Sequence, residues 1–220
     1  MKSRLFFSDL CRDIETKVAA FLNSQEAFLP ASALGSPRAA GDAIEEMLGE
    51  RLADMLGDFC GEYSADFARR AMADIAFTDV DGLYYVVDVK THRTDTRFNM
   101  PNLTSVERLA RFYEDGKNYF ALLLISYHLQ NARLTVTGVT FVPIEFLAWD
   151  CLTIGALGWG QIQIADSNRV IVNSGYSRKR WMVELCDTLL DFYPKEIAKI
   201  GERIERFQRV KDYWLAKPDD

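Results

Sequence analysis

Residues 73–92 read ADIAFTDVDGLYYVVDVKTH, and the fold is decided there. Positions 75–77 and 83–89 are rich in β-branched and aromatic residues, and Asp81-Gly82 between them is a hairpin turn signal. Residues i and i+2 of a strand share a face, so Asp88 and Lys90 emerge together while Val89 points the other way. A turn centred near Asp81 opposes residues whose numbers sum to about 162, which sets Asp74 across from Asp88 at ~5 Å between Cβ atoms in a regular ladder. Two like charges so opposed destabilise a sheet. A divalent cation between them reverses the sign of that interaction.

Upstream of the hairpin, Ile44, Met47, Leu48, Leu52, Met55 and Leu56 recur at three- and four-residue steps and predict a helix capped by Asp42, with Glu45, Glu46 and Glu50 at the edge of its apolar face. Before it, FLPASALGSPRAAG (28–41) reads as a linker or as a loop over a ligand. Residues 5–22 alternate apolar and charged positions as a first helix. Downstream, strands are expected at 119–127 and 133–142, and helical periodicity returns from Trp181 to about Trp214, broken at Pro194. Helices, then a mixed sheet, then helices predict one α/β domain over residues 1–220.

Composition agrees with a packed domain. At 220 residues, 49% hydrophobic and 26% charged, the chain is neither disordered, collagenous nor a coiled coil throughout. A net charge of −6 argues against an all-over nucleic-acid coat, though not against a local basic groove. Cys11, Cys60, Cys151 and Cys186 stand far apart, which speaks against a structural zinc site or a disulfide framework. Asp9, Arg12, Asp13 and Glu15 interrupt the apolar start too early for a signal peptide, and the uncharged runs fall short of a membrane span. A cytoplasmic protein with no membrane partner is expected.

The chemistry that wants Asp74, Asp88 and Lys90 together is phosphodiester hydrolysis. Two carboxylates suit Mg²⁺, which keeps several waters and takes its other ligands from substrate phosphate. Such an ion acidifies a bound water and offsets charge on the phosphorus centre. The lysine stabilises that charge or helps deprotonate the attacking water. Glu45, arriving from the helix, is a supporting or second-metal carboxylate. The plainer reading is a solvated Asp/Lys couple of little energetic weight; the apolar strand before it, the facing Asp74 and the acidic helix count against that.

Asp74 followed by Asp88-Val89-Lys90 resembles the PD-(D/E)xK nuclease motif, with Ala73 where the motif has proline. Together with AGDAIEEML (40–48), FNMPNLTSVERLA (98–110), WGQIQI (159–164) and SRKRW (177–181), the hairpin resembles type II restriction endonucleases of that superfamily, in pieces over about residues 38–185. The resemblance implies a restriction-endonuclease-like core, a mixed β-sheet flanked by helices. It implies a homodimeric, Mg²⁺-dependent enzyme cutting a short palindromic double-stranded DNA site, with blunt ends. Asp74 and Asp88 would hold the metal and Lys90 would be the catalytic lysine. Thr91 and His92 would lie near the scissile strand, and Asn99, Met100 and Asn102 of FNMPN where this family reaches bases. Gly155 stands where the family has a base-reading side chain.

Other polar residues read two ways. FNMPNLTS is also a turn with Asn102 or Thr104 capping a helix at 106–113. Gln161 and Gln163 share one strand face, to meet bases or phosphates or to edge the sheet. Arg93 and Arg97 stand beside the proposed metal site, and Arg178 in a basic triplet either clamps phosphate or opens a solvated helix. The final Lys/Arg-rich helix alternates with Glu and reads mainly as a solvated face. The catalytic core is thus expected over about 40–185 and the C-terminal helices over 181–214. The helix at 5–22, with Leu5, Phe6, Phe7, Leu10, Val18 and Phe21, is the expected dimer surface, since two-fold cutting calls for a two-fold protein. Two further readings keep the scaffold: a structure-specific repair or junction nuclease, and a non-catalytic DNA-binding module.

Overall fold

The chain begins with an anchored turn, and its first helix follows only afterwards. The computed structural model describes residues 2–25, 36–64, 73–130 and 133–218. In chain order the elements are α1 (Leu10–Asn23), α2 (Pro37–Leu56), β1 (Cys60–Ser64), β2 (Ile75–Asp79), β3 (Tyr84–Arg93), β4 (Asn102–Ser105), α3 (Val106–Phe112), β5 (Asn118–Gln130), β6 (Arg133–Pro143), β7 (Leu152–Gly155), β8 (Gln161–Ile164) and α4 (Arg178–Leu215). They divide into two compact units, Met1–Gly175 and Tyr176–Asp220.

The first unit is mixed α/β. Its larger sheet has the order β1-β2-β3-β5-β6, with β3 parallel to β5 and the other neighbours antiparallel. The two central strands are nearly continuous runs of buried apolar residues, Val86 and Val87 on β3 and Phe120–Leu123 on β5, as expected of strands covered on both faces. A smaller antiparallel sheet has the order β4-β8-β7.

The hairpin adopts the register that its turn chemistry sets: Ile75 pairs with Val87 and Ala76 with Val86. Asp79 closes the turn, its Oδ1 accepting from the N–H groups of Asp81 and Leu83 at 2.9 and 2.8 Å, and Gly82 supplies the positive φ of 76°.

The first helix does not offer the dimer surface expected of it. Ser3 is buried, with its Oγ 2.7 Å from the Tyr85 hydroxyl, and Phe6 packs edge-on against Tyr85 and Phe141. Those anchors delay the helix from Leu5 to Leu10. Of the six residues expected there, Leu5, Phe6 and Val18 are buried within the protomer, Leu10 and Phe21 are half-buried, and Phe7 is the widely exposed ring. Helix α1 lies on the edge strand β6, where Asn23 Oδ1 accepts from the Val136 N–H at 2.8 Å and Glu15 Oε1 from that of Phe141 at 2.7 Å.

Helix α2 starts earlier than Asp42. Ser36 is its N-cap, accepting from the Ala39 N–H, and Pro37 occupies the first turn, where its missing donor is no loss. Ala40, Ile44, Leu48 and Leu52 are buried along one face. Residues 28–35 of the expected linker or loop lie outside the described residues.

Residues 102–105 form strand β4, so neither Asn102 nor Thr104 caps α3; Ser105 takes the cap position without a side-chain bond. In the second unit, Pro194 does not break α4. The helix runs 38 residues through it, its N-terminus capped by Ser177, despite the ~3 kcal/mol that an interior proline costs.

Candidate active site

Asp88 sits on β3, in the middle of the larger sheet and 5% exposed. Lys90, two residues on along the same face, places Nζ 2.6 Å from Asp88 Oδ1. Asp74 flanks the start of β2, where its backbone N–H donates to the Val87 carbonyl and its Oδ2 accepts from the Val89 N–H at 2.7 Å. The paired acids therefore meet at the open end of the hairpin, opposite the turn.

Asp88 Oδ2 is buried and has no hydrogen-bond partner among the described residues. Leaving a carboxylate oxygen so is costly, and the cost appears in its proton affinity. Burial pushes the Asp88 carboxyl up to about 7; the Lys90 ammonium opposes this, while the charges of Asp74 and Glu45 reinforce it. Glu45 acts from α2, whose approach to β3 is tight: a Cβ at Gly41 would stand 3.0 Å from Thr91 Oγ1.

The fit of this site to Mg²⁺ follows from its donors. Among the described residues no group of three or more His, Cys, Asp or Glu is arranged to hold a metal. Mg²⁺ needs only one or two carboxylates, since it keeps several of its waters. A hard cation would take the open Oδ2 and offset the mutual repulsion of Asp88, Asp74 and Glu45. The residues fit the ion.

Beyond Lys90 the strand stays polar. His92 Nε2 lies 2.9 Å from Asn168 Oδ1, and its Nδ1 is buried with no partner among the described residues, as is Arg93 Nε. Arg93 also pairs with Asp95 at 2.7 Å. Asn168 was not anticipated from sequence. Its side chain also donates to the carbonyls of Thr96 and Arg97, so one amide ties the end of β3 to the loop after it. Its local bonds, to Asp166, mark only a turn, while the partners that place it at this site, His92, Thr96 and Arg97, lie more than seventy residues away. A cavity of about 260 Å³ opens here, lined by Lys90, His92, Pro101, Ser126, Thr140 and Asn168. Lys90 is thus reachable from a recess.

The remaining expected site residues fall into separate settings. Arg97 and Met100 are exposed on the loop before β4, and Asn99 is half-buried, its carbonyl accepting from the Ser167 N–H. Asn102 and Gln163 are register partners across β4 and β8, joined by a 2.6 Å bond from Gln163 Nε2 to Asn102 Oδ1. Gln161 shares the half-buried face with Gln163, while Ile162 and Ile164 are buried on the other. Gly155 makes room for this pair, since a Cβ there would lie 2.7 Å from Gln163 Oε1. Arg178 belongs to the second unit, at the first residue of α4.

No protein-family model and no curated protein sequence matches this chain. Among the described residues no helix is long and apolar enough to cross a membrane.

Proposed function

We propose that the chain is a Mg²⁺-dependent type II restriction endonuclease, a cytoplasmic homodimer that hydrolyses phosphodiester bonds in a short palindromic DNA site and leaves blunt ends. Its mixed sheet would then be the restriction-endonuclease-like core. The observation that carries this reading is the buried, partnerless Oδ2 of Asp88 beside Lys90 and Asp74. Asp74 and Asp88 would hold the cation, which when bound acidifies water and offsets phosphate charge. The reaction forms one P–O bond from a water oxygen and breaks the P–O bond to the leaving sugar oxygen, the water's proton passing to base or solvent.

The chain's own residues have definite tasks in that step. Lys90 places an ammonium at the mouth of the cavity, where it stabilises charge on a phosphate oxygen. Its bond to Asp88 fixes that position beforehand. Asp74 holds the strand at Val89 while keeping its second oxygen for the ion. Glu45 adds negative charge that strengthens the pull on a cation. Thr91, His92, Arg93 and Arg97 would follow the DNA strand. Asn99, Met100, Asn102, Gln161 and Gln163 would face base edges, and a singly bonded Asn102–Gln163 amide pair keeps a donor and an acceptor for them. Arg178 would take a phosphate.

Plasmid digestion in Mg²⁺ tests this. Discrete fragments with identical mapped ends are expected, and Lys90→Ala should stop cutting while leaving DNA binding in Ca²⁺. Smeared products, or cutting undiminished in the variant, would overturn it. The bond by which Asn102 and Gln163 each spend one base-reading group on the other favours one second reading, a nuclease of the same scaffold that selects DNA structure instead of sequence. Cutting at branched substrates alone would decide for that enzyme.

A further inference from the structure

Trp181 and Leu185 of α4 are buried, but two seven-residue series along the same helix leave large apolar side chains in solvent. Val183, Leu190, Ile197, Ile204 and Lys211 occupy one heptad position, and Cys186, Tyr193, Ile200, Phe207 and Trp214 the other. None of the ten is buried, and Leu190, Ile197, Ile204, Phe207 and Trp214 are each 66–70% exposed. With Phe207 and Trp214 widely exposed beside Leu190, Ile197, Ile200 and Ile204, the exposed seam approaches the ~800 Å² that each partner buries in a standard interface. That is more than a monomer ordinarily leaves open.

A 3.5-residue period selects a helix as the covering element, because it keeps one seam in contact only when two helices supercoil. A lipid surface would favour a basic polar face, whereas that of α4 mixes Glu202 and Glu205 with Arg206 and Arg209. We propose that α4 pairs antiparallel with α4 of a second copy of this chain, forming a two-fold coiled coil.

The side chains choose the direction. Antiparallel pairing centred between Lys199 and Ala198 sets Val183 against the partner's Trp214 and Leu190 against the partner's Phe207, small against large, and Ile197 against the partner's Ile200 at the centre. It also brings Glu196 to the partner's Arg203 twice by symmetry, with Glu196, whose side chain is 14% exposed, exchanging its bond to Lys199. Parallel pairing would instead stack Trp214 and Phe207 on their own copies and oppose the two Lys211 ammoniums. This inference rests on the homodimer proposed above and names its contact surface. The seam shares no residue with the acidic site, so Lys90→Ala should lose cutting and still dimerise, while a dimer indifferent to seam substitutions would overturn this inference alone.

Sedimentation of the full chain from low micromolar concentration upward tests it. The wild type should be a dimer, and Ile197→Asp with Ile200→Asp should weaken association by at least about 100-fold, with an unchanged far-UV circular dichroism spectrum. Arg203→Glu alone should weaken it by about tenfold, and adding Glu196→Arg should restore it, a rescue that parallel pairing does not predict. A wild-type monomer, a dimer indifferent to the paired Asp substitutions, or uptake by phosphatidylglycerol vesicles in place of self-association would overturn the proposal.

Discussion

Two buried aspartates stand at opposite ends of one hairpin. Asp79, 3% exposed, has both oxygens engaged: Oδ1 takes two backbone N–H groups and Oδ2 takes the Tyr85 hydroxyl at 2.8 Å. Asp88, 5% exposed, has Oδ1 on Lys90 and, among the described residues, nothing on Oδ2. Burial alone therefore does not mark a functional acid. Asp79 is finished by the fold and holds a turn, whereas Asp88 keeps an open oxygen, the one the proposed function gives to a cation.

The contrast is sharpest at Asp88→Asn. Cleavage should fall by more than ~10³-fold and Mg²⁺ uptake measured by titration calorimetry should vanish, while the metal-free fold remains at least as stable in urea. Asp79→Ala should do the reverse. It strands three donors, so about 3 kcal/mol of stability is lost, and calorimetry should still register Mg²⁺. If both variants behave alike, the distinction between a structural and a functional acid fails.

Acidity separates the two again. With Asp88 raised to about 7, the folded chain keeps a proton that the unfolded chain gives up near its ordinary value of 3.8. This group's stabilisation is thus present in full below that lower value and disappears as pH rises through about 7. Thermal melts in chelator should show a downward slope across that interval, and Asp88→Asn should flatten it. Mg²⁺ should raise the melting temperature more at pH 8 than at pH 6, since the proton competes for the same oxygen; equal shifts would remove the ion from Asp88.

The smallest effect belongs to the amide face. Gly155→Ala would push the Gln163 side chain aside and break its bond to Asn102. About 1 kcal/mol or less should be lost, with DNA affinity altered more than the melting point. Unchanged binding would leave the pair a sheet-edge contact.

Sequence reasoning reached the hairpin because its information is local. Asp81-Gly82 sets the turn, the turn sets the register, and the register sets Asp74 near Asp88. Non-local arrangements were not legible in the same way. The bond between Asn102 and Gln163 joins residues 61 positions apart, and Asn168 reaches His92 across 76. Composition misled at two helices. The apolar residues of the first went into the protomer's own core, while the many charges of α4 drew attention from the phase of Ile197, Ile200, Ile204 and Phe207. Periodicity, not charge content, carried the signal there.

Asn23 and Glu15 have a consequence beyond local bonding. The pair β5–β6 is long, 13 and 11 residues, and β6 is its outer member. With the donors of Val136 and Phe141 already taken by α1 side chains, that margin offers a stray chain no clean row on which to add a strand. The first helix thereby serves as a guard against runaway polymerisation.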